Sequence, residues 1–400
     1  MRLLFVTTFY YPNMQGGVEQ VVKRLAESLV CEENCIAIYC VDSSENETRI
    51  DYYNGIKIYR CSAHDFHLFK FSYDKKNIGK IEKLHQKLLC YYNRKVKNDF
   101  LTVCDEFRPD IIHTHTLYGI VPAIWKCAYK LNIPVVHTIH DLAPVSPVQY
   151  GHKASVLIRT FHKMYMNYYS SYVQAVTAPS CYTLETSLKA GCFANANITE
   201  EISNAIDIDL EYLKKLIAEK KRRESNIIKF VFAGRLVYFK GIKSLINAFL
   251  HADLQAELHI CGSGELSQFV TTCAERDSRI IYHGKLNNEE LYKVYQEADV
   301  MIVPSEWPEP FGMVVIEGNA NALPVIASNC GGIPEIMDRI EGGILYEPSN
   351  ENELIEAFTR FSNRKEYSIY FDTILKNINF YELGKQINDF KTLYQSLMER

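Results

Sequence analysis

Glu309 and Glu317 carry the most specific chemistry in this chain. They stand at either end of a seven-residue gap within Pro304-Ser305-Glu306-Trp307-Pro308-Glu309-Pro310-Phe311-Gly312-Met313-Val314-Val315-Ile316-Glu317. A carboxylate is a good acceptor for hydroxyl groups and a poor ligand for phosphate. Pro308 and Pro310 forbid regular structure, and a helical pattern starts at Gly312 and runs to about Asn321. The amides of Phe311, Gly312 and Met313 are then the donors of a helix start, an end that favours anions. A ligand made of a sugar, a diphosphate and a ribose, in that order, suits this arrangement. Glu309 would take hydroxyls of the sugar and Glu317 those of the ribose, with the diphosphate between them.

Other residues fit the same ligand. Arg235 and Lys240 lie in Gly234-Arg235-Leu236-Val237-Tyr238-Phe239-Lys240-Gly241. Arginine offers a planar fork to phosphate oxygens and lysine a point charge, while Gly234 lets the chain turn close to the ligand. Gly262 and Gly264 form a glycine turn after a strand ending at Cys261, and no third glycine completes a dinucleotide fingerprint. Near the start of the chain, Gly16-Gly17-Val18-Glu19 can hold positive φ, open a helix and bring amides close to a phosphate. His140 and Asp141 sit where a strand stops. His113 and His115 are assigned to opposite faces of an earlier strand, and no cluster of Asp, Glu or Cys completes a metal site with them.

These residues need strands that end beside one another. Leu3–Thr7, Ile36–Val41, Ile56–Tyr59, the run ending in Asp110-Ile111-Ile112-His113-Thr114-His115, Ile133–Thr138 and Val173–Ala178 read as strands in the first half, and Ile198–Ser203 leads to the turn Asn204-Ala205-Ile206-Asp207. Ile227–Ala233, the run ending at Cys261, Ile280–Leu286, Val300–Val303 and Leu323–Ala327 read as strands in the second. Helical patterns separate them, so an α/β fold with parallel sheets is expected, with ligands at the carboxyl ends of the strands. Four hundred residues suggest two domains. The charged run Lys214–Ser225 reads as a helix leading into a linker near 207–226, and 380–400 as an amphipathic final helix.

Composition narrows the class. A formal net charge of −4 argues against general nucleic-acid binding. The 12 cysteines show no Cys-x-x-Cys pairing, which fits a reduced, cytoplasmic protein. Cys31 and Cys35 flank a helix-to-strand turn. Met1–Val6 reads as the first strand rather than a signal peptide, and no apolar run approaches the ~18 residues of a membrane span. With 27 Tyr and 20 Phe, some aromatics must be exposed. Residues 70–100 combine many lysines with the stripe Ile78, Ile81, Leu84, Leu88 and Tyr92. Residues 150–172 mix Lys153, Arg159, His162 and Lys163 with Phe161, Tyr165, Tyr168, Tyr169 and Tyr172. The first reads either as a solvated helix face over the core or as a basic amphipathic helix docking on an anionic membrane, and the second as a membrane interface, a carbohydrate platform or core packing.

Glu309-Pro310-Phe311-Gly312 through Glu317, with Gly234-Arg235-Leu236 and Lys240-Gly241, resembles the family-4 retaining glycosyltransferases of GT-B fold. The resemblance covers most of the chain and is strongest over 234–335. It implies two Rossmann-like domains facing across a cleft. Residues 1–207 would bind the acceptor, 208–379 the nucleotide sugar, and 380–400 would cross back to the first domain. It places Arg235 and Lys240 on the donor diphosphate, His140 on the transferred sugar, and Gly16 and Gly17, with Glu19, beside the donor phosphate and the acceptor. Backbone groups near Gly284 and Leu286 would hold the base, and Gly331-Gly332-Ile333-Pro334-Glu335 would shape the pocket floor. Asp207-Ile208-Asp209 spells the metal motif of a different glycosyltransferase fold and is read as a coincidence of a turn. The implied activity is metal-independent, retaining transfer of a hexose-type sugar from a UDP- or GDP-sugar to a glycan or lipid-linked acceptor in cell-surface polysaccharide synthesis. The nucleotide sugar is a co-substrate and no cofactor is implied. The expected location is the cytoplasm, at the inner face of the membrane. The competing readings are a sugar-nucleotide epimerase of the same fold and a nucleotide-sugar-binding protein without turnover.

Overall fold

Strands that are apolar on both faces must be covered on both faces, and this chain does so in two compact units. The protein is described here from a computed structural model. The residues described are 1–14, 16–30, 34–42, 48–62, 85, 88–147, 154–225 and 227–399. Cys31, Lys153 and most of the lysine-rich 70–87 stretch lie outside them. Within 1–149, 153–203 and 387–400 the described residues form one compact unit, and 204–386 form the described part of a second. No described helix is long and apolar enough to cross a membrane. The eleven described cysteines are thiols rather than disulfides.

The first unit holds β1 (Arg2–Val6), β2 (Cys35–Asp42), β3 (Arg49–Tyr53), β4 (Ile56–Ser62), β5 (Ile111–Thr114), β6 (Val135–Thr138), β7 (Ala175–Ala178) and β8 (Ile198–Glu201). They form one sheet in the order β3-β4-β2-β1-β5-β6-β7-β8. Every pairing is parallel except β3 with β4. β3 is absent from the sequence reading because it is a largely exposed edge strand, Arg-Ile-Asp-Tyr-Tyr, without an apolar run. Period-two alternation splits β1 between two cores. Leu4 and Val6 join Phe100 and Trp125 on one face. Leu3 and Phe5 join Phe390, Leu393, Tyr394 and Leu397 on the other. Those last four come from the helix Leu383–Met398, whose residues from 387 onward belong to this unit.

The second unit holds β9 (Ile228–Ala233), β10 (Ala256–Cys261), β11 (Ile280–Gly284), β12 (Val300–Val303), β13 (Val325–Ser328) and β14 (Gly343–Tyr346), ordered β11-β10-β9-β12-β13-β14 and parallel throughout. The charged run is no linker helix here. The helix Leu210–Lys221 buries Leu213, Leu216 and Ile217 in this core. Lys220 is 1 % exposed, and its side-chain nitrogen donates to Tyr295 O at 3.0 Å and Asn321 O at 3.1 Å. Burial pushes its amine well below the usual lysine range. A long aliphatic stem allows this, and charge counting along a sequence misses it.

Among the parallel strands of each sheet the order reverses once. β1 lies between β2 and β5, and β9 between β10 and β12. Ligands of open α/β sheets bind outside the carboxyl ends of the strands at such a switch point. Two tests address the first unit. Tyr394 OH lies 2.7 Å from His113 Nδ1, with both side chains buried. Tyr394→Phe deletes that hydroxyl alone, and denaturant unfolding is expected to show a loss of about 1–2 kcal/mol. An unchanged midpoint would show that this bond contributes nothing.

Burial also holds His140 down to about 4 and His137 to about 3, and keeps His113 and His115 well below the histidine range. The unfolded chain therefore binds more protons than the folded one between pH ~4 and ~6.5. This stability is fully present above pH ~6.5 and is lost as pH falls toward the folded values, at about 2 kcal/mol per such imidazole by pH 5. Unfolding midpoints compared at pH 7.5 and 5 check it. A flat profile would mean that these rings accept protons in place.

Candidate active site

At the switch point of the second unit, the loops after β9 and β12 meet. The turn Tyr238–Lys240 follows β9 and carries Lys240, and the proline-rich loop after β12 carries Glu309. Lys240 Nζ lies 2.5 Å from Glu309 Oε1, and Ser305 Oγ donates to the same oxygen at 2.7 Å. The two side chains are only 23 % and 17 % exposed, so the ions offset each other's lost hydration. An ammonium has three donors and a carboxylate two oxygens, and this contact uses one of each.

Backbone contacts fix the loop. Glu306 N donates to Phe239 O at 2.9 Å, Gly332 N to Glu309 O at 2.8 Å, and Ser328 Oγ to Ser305 O at 2.7 Å. The approach leaves no room for side chains. A Cβ on Gly241 (φ 71°) would lie 1.8 Å from Pro304 O, and one on Gly331 (φ 65°) 2.2 Å from Glu309 O. Gly331-Gly332 therefore acts by letting the signature loop close down on it.

Gly312 caps the helix Met313–Ala320, with Met313 and Glu317 half-buried on it. Phe311 is buried edge-on against Tyr381, ring centroids 5.8 Å apart, which anchors the loop into the core. Arg235 is exposed, its guanidinium 5.6 Å from the Phe239 ring centre. Gly262 N donates to Gly284 O at 2.7 Å, and Tyr282 OH donates to Gly262 O at 3.1 Å. A Cβ on Gly262 would lie 1.8 Å from Gly234 O, so this residue serves loop packing. Gly284, by contrast, faces open space, and Leu286 is half-buried against the core.

The first unit carries Gly16, Gly17 and His140. The glycine pair does not use positive φ. Gly16 is extended (φ −164°) and Gly17 opens the helix Gly17–Leu29. Glu19 is buried and accepts from Gly16 N at 2.8 Å, capping that helix. A glutamate three residues past the cap needs no left-handed turn before it.

The facing of His113 and His115 also needs correction. Residues two apart on a strand share a face, and these rings lie 4.1 Å apart, centre to centre. His115 Nδ1 is 3.0 Å from His140 Nε2, so the β5 end and the β6 end present a bonded imidazole pair. His140 Nδ1 is buried and has no hydrogen-bond partner among the described residues. Ala143 N donates to Asp141 Oδ1 at 2.8 Å, so Asp141 shapes its own turn.

The second unit thus unites Lys240 with Glu309, and sets Gly234 against Gly262. Sequence reasoning missed Ser305, which shares an oxygen with Lys240, and His115, which the His-x-His spacing with correct strand parity would have found. Nothing in the local sequence signals Tyr394 as the partner of His113.

Two family models match the chain. "Glycosyltransferase Family 4" matches residues 15–210, and "Glycosyl transferases group 1" matches residues 214–373. A Klebsiella pneumoniae protein described as an uncharacterized 42.6 kDa protein in the cps region is 26 % identical, over 84 % of this chain and 87 % of its own length. The O-antigen chain mannosyltransferase C of Escherichia coli is 21 % identical over 100 % of this chain and 99 % of its own. Among solved structures, Anabaena HepE in complex with UDP and glucose matches with a TM-score of 0.70 at 18 % identity, covering 99 % of this chain and 100 % of that one. With two parallel-sheet Rossmann-like units and both family models matched along its length, the chain belongs to the family-4 glycosyltransferases of GT-B fold.

Proposed function

We propose that this glycosyltransferase moves a hexose-type sugar from a UDP- or GDP-sugar to a glycan or lipid-linked acceptor in cell-surface polysaccharide synthesis. Transfer retains the anomeric configuration and needs no metal ion. The observation that carries the reading is the Lys240–Glu309 pair at the switch point of the second sheet. It sets a cation for phosphate beside an acceptor for hydroxyls, as a sugar joined to a diphosphate requires. The names of the Escherichia coli and Klebsiella relatives support the polysaccharide setting, and the HepE complex supports a UDP-linked donor.

Glu309 serves the sugar as a hydrogen-bond acceptor rather than as a nucleophile, since one oxygen is already bound by Lys240 and Ser305. The acceptor hydroxyl attacks the anomeric carbon from the face that the diphosphate leaves. The C1–O bond to phosphate breaks, its electron pair departs with the diphosphate, and the hydroxyl proton passes to a diphosphate oxygen. Arg235 and Lys240 carry the charge that develops there, which is the work a metal would otherwise do. The amides of Phe311, Gly312 and Met313 add donors at the helix start. Glu317 takes ribose hydroxyls, and the backbone at Gly284 and Leu286 takes the base. In the first unit, the neutral imidazole of His140 suits a sugar hydroxyl, and the Gly16-Gly17 turn suits a phosphate or an acceptor.

A thermal-shift panel of UDP, GDP, ADP and NAD, with UDP- and GDP-sugars, tests the donor class by mass action. One nucleoside diphosphate and its sugar are expected to raise the melting temperature. A response to NAD alone would overturn the reading. Lys240→Ala and Glu309→Ala are each expected to lower kcat/KM at least ~100-fold, an effect of about 2.7 kcal/mol on the barrier. Glu317→Ala is expected to act mainly on the donor KM. Near-wild-type turnover in Lys240→Ala or Glu309→Ala, or a β-linked product from an α-linked donor, would refute the mechanism.

A further inference from the structure

Ser305 lies just after β12, in the proline-rich loop, and is 1 % exposed. A buried hydroxyl needs an acceptor, and a backbone carbonyl is the usual one. Ser305 Oγ instead donates to Glu309 Oε1 at 2.7 Å, the oxygen that Lys240 Nζ also reaches. The serine is pinned from behind. Its own carbonyl accepts from Ser328 Oγ at 2.7 Å, and Ser328, the last residue of β13, is fully buried. Two strand ends therefore fix the backbone that aims this hydroxyl.

A carboxylate offers about four lone pairs, two on each oxygen. Ser305 and Lys240 occupy those of Oε1, and no described residue donates to Oε2. The ion pair by itself does not enforce this division. An ammonium has three rotatable donors and no fixed fork, so it can bridge both oxygens of a carboxylate that turns. Lys240 is paired in either arrangement, but the bridged one closes the oxygen that a sugar hydroxyl needs. The loop's other carboxylate, Glu306, is bonded by Ser244 Oγ. Of these two serine–glutamate bonds, only that of Ser305 is shared with Lys240.

We propose that Ser305 is a positioning residue for Glu309. Its hydroxyl holds Oε1 toward Lys240 and keeps Oε2 open to a hydroxyl of the donor sugar. When Lys240 shares its N–H groups with a diphosphate, the serine keeps the carboxylate from following the ammonium. This deepens the glycosyl-transfer reading and rests on it, since that reading places the sugar at Glu309. It separates two ligands that differ by the sugar alone. A nucleoside diphosphate uses Lys240 and has no need of Oε2, whereas the sugar nucleotide uses both.

Titration calorimetry with UDP, UDP-glucose, UDP-galactose, GDP and GDP-mannose tests this on wild type, Ser305→Ala, Ser244→Ala and Glu309→Ala, and on the double variant Ser305→Ala/Glu309→Ala. Ser305→Ala is expected to weaken the sugar nucleotide that binds at least ~10-fold and its nucleoside diphosphate less than ~2-fold. Ser244→Ala is expected to change neither. A residue that acts through Glu309 has nothing left to do once that carboxylate is gone, so the double variant is expected to match Glu309→Ala. A merely structural serine would instead weaken both ligands alike and add its loss to that of Glu309→Ala. A cooperative melt in each variant confirms folding. Wild-type affinity of Ser305→Ala for the sugar nucleotide, equal weakening of both ligands, the same loss in Ser244→Ala, or additive losses in the double variant would overturn the proposal. If the wild type binds none of these sugar nucleotides, the glycosyl-transfer reading fails and the positioning with it. Wild-type binding that Ser305→Ala fully retains refutes the positioning alone.

Discussion

The second unit depends on how closely the loops at the carboxyl edge of its sheet approach one another. Four contacts leave no space for a Cβ: Gly241 against Pro304 O, Gly331 against Glu309 O, Gly262 against Gly234 O, and Gly264 against Leu236 O. The first two carry the signature loop to within ion-pair distance of the turn after β9, where Lys240 meets Glu309 at 2.5 Å. A charge pair this sheltered holds only while both members are present, since removing one leaves the other desolvated and uncompensated. Backbone packing and site electrostatics are therefore one property. The glycines of this region need touch no ligand to be indispensable to it.

Behind that edge, Lys220 performs a related task. Its side-chain nitrogen donates to Tyr295 O and Asn321 O, at the carboxyl ends of the helices Asn288–Glu297 and Met313–Ala320. Side-chain donors there satisfy helix carbonyls that have no partner within the helix. The second of these helices carries Glu317, so a buried lysine on the far side of the sheet edge steadies the segment that presents it.

The first unit solves a different problem. Four histidines gather at the ends of β5 and β6, and burial selects their neutral forms. Neutral imidazoles can bond to one another, one donating and one accepting, as His115 and His140 do. His113 is held on one side by Tyr394 OH and on the other by Thr138 Oγ1, each at 2.7 Å. A residue near the end of the chain thereby steadies the imidazole next to the His115–His140 pair. The same unit leaves Leu157 and Phe161 in solvent, because His162 must face inward to bond Ala143.

Much of this was legible from local pattern. Apolar runs marked the parallel strands, because a strand buried on both faces is rich in apolar residues, and Gly234, Gly262 and Pro304 marked where three of them stop. Glu309, Glu317, Arg235 and Lys240 stood out because their types and spacings match a charged, hydroxylated ligand. The failures follow from geometry. The edge strand Arg49–Tyr53 lacks an apolar run, Lys220 hides inside a charged helix, and Gly16 needs no left-handed turn when Glu19 caps the helix beside it. The sequence by itself determined most of the buried parallel strands and which residues could bear the chemistry, because those depend on neighbours a few positions away. Only the tertiary structure decided that Lys240 meets Glu309, that His115 meets His140, and that Tyr394 reaches His113. Those pairs lie 69, 25 and 281 residues apart, and the strand order, not the spacing along the chain, brings them together.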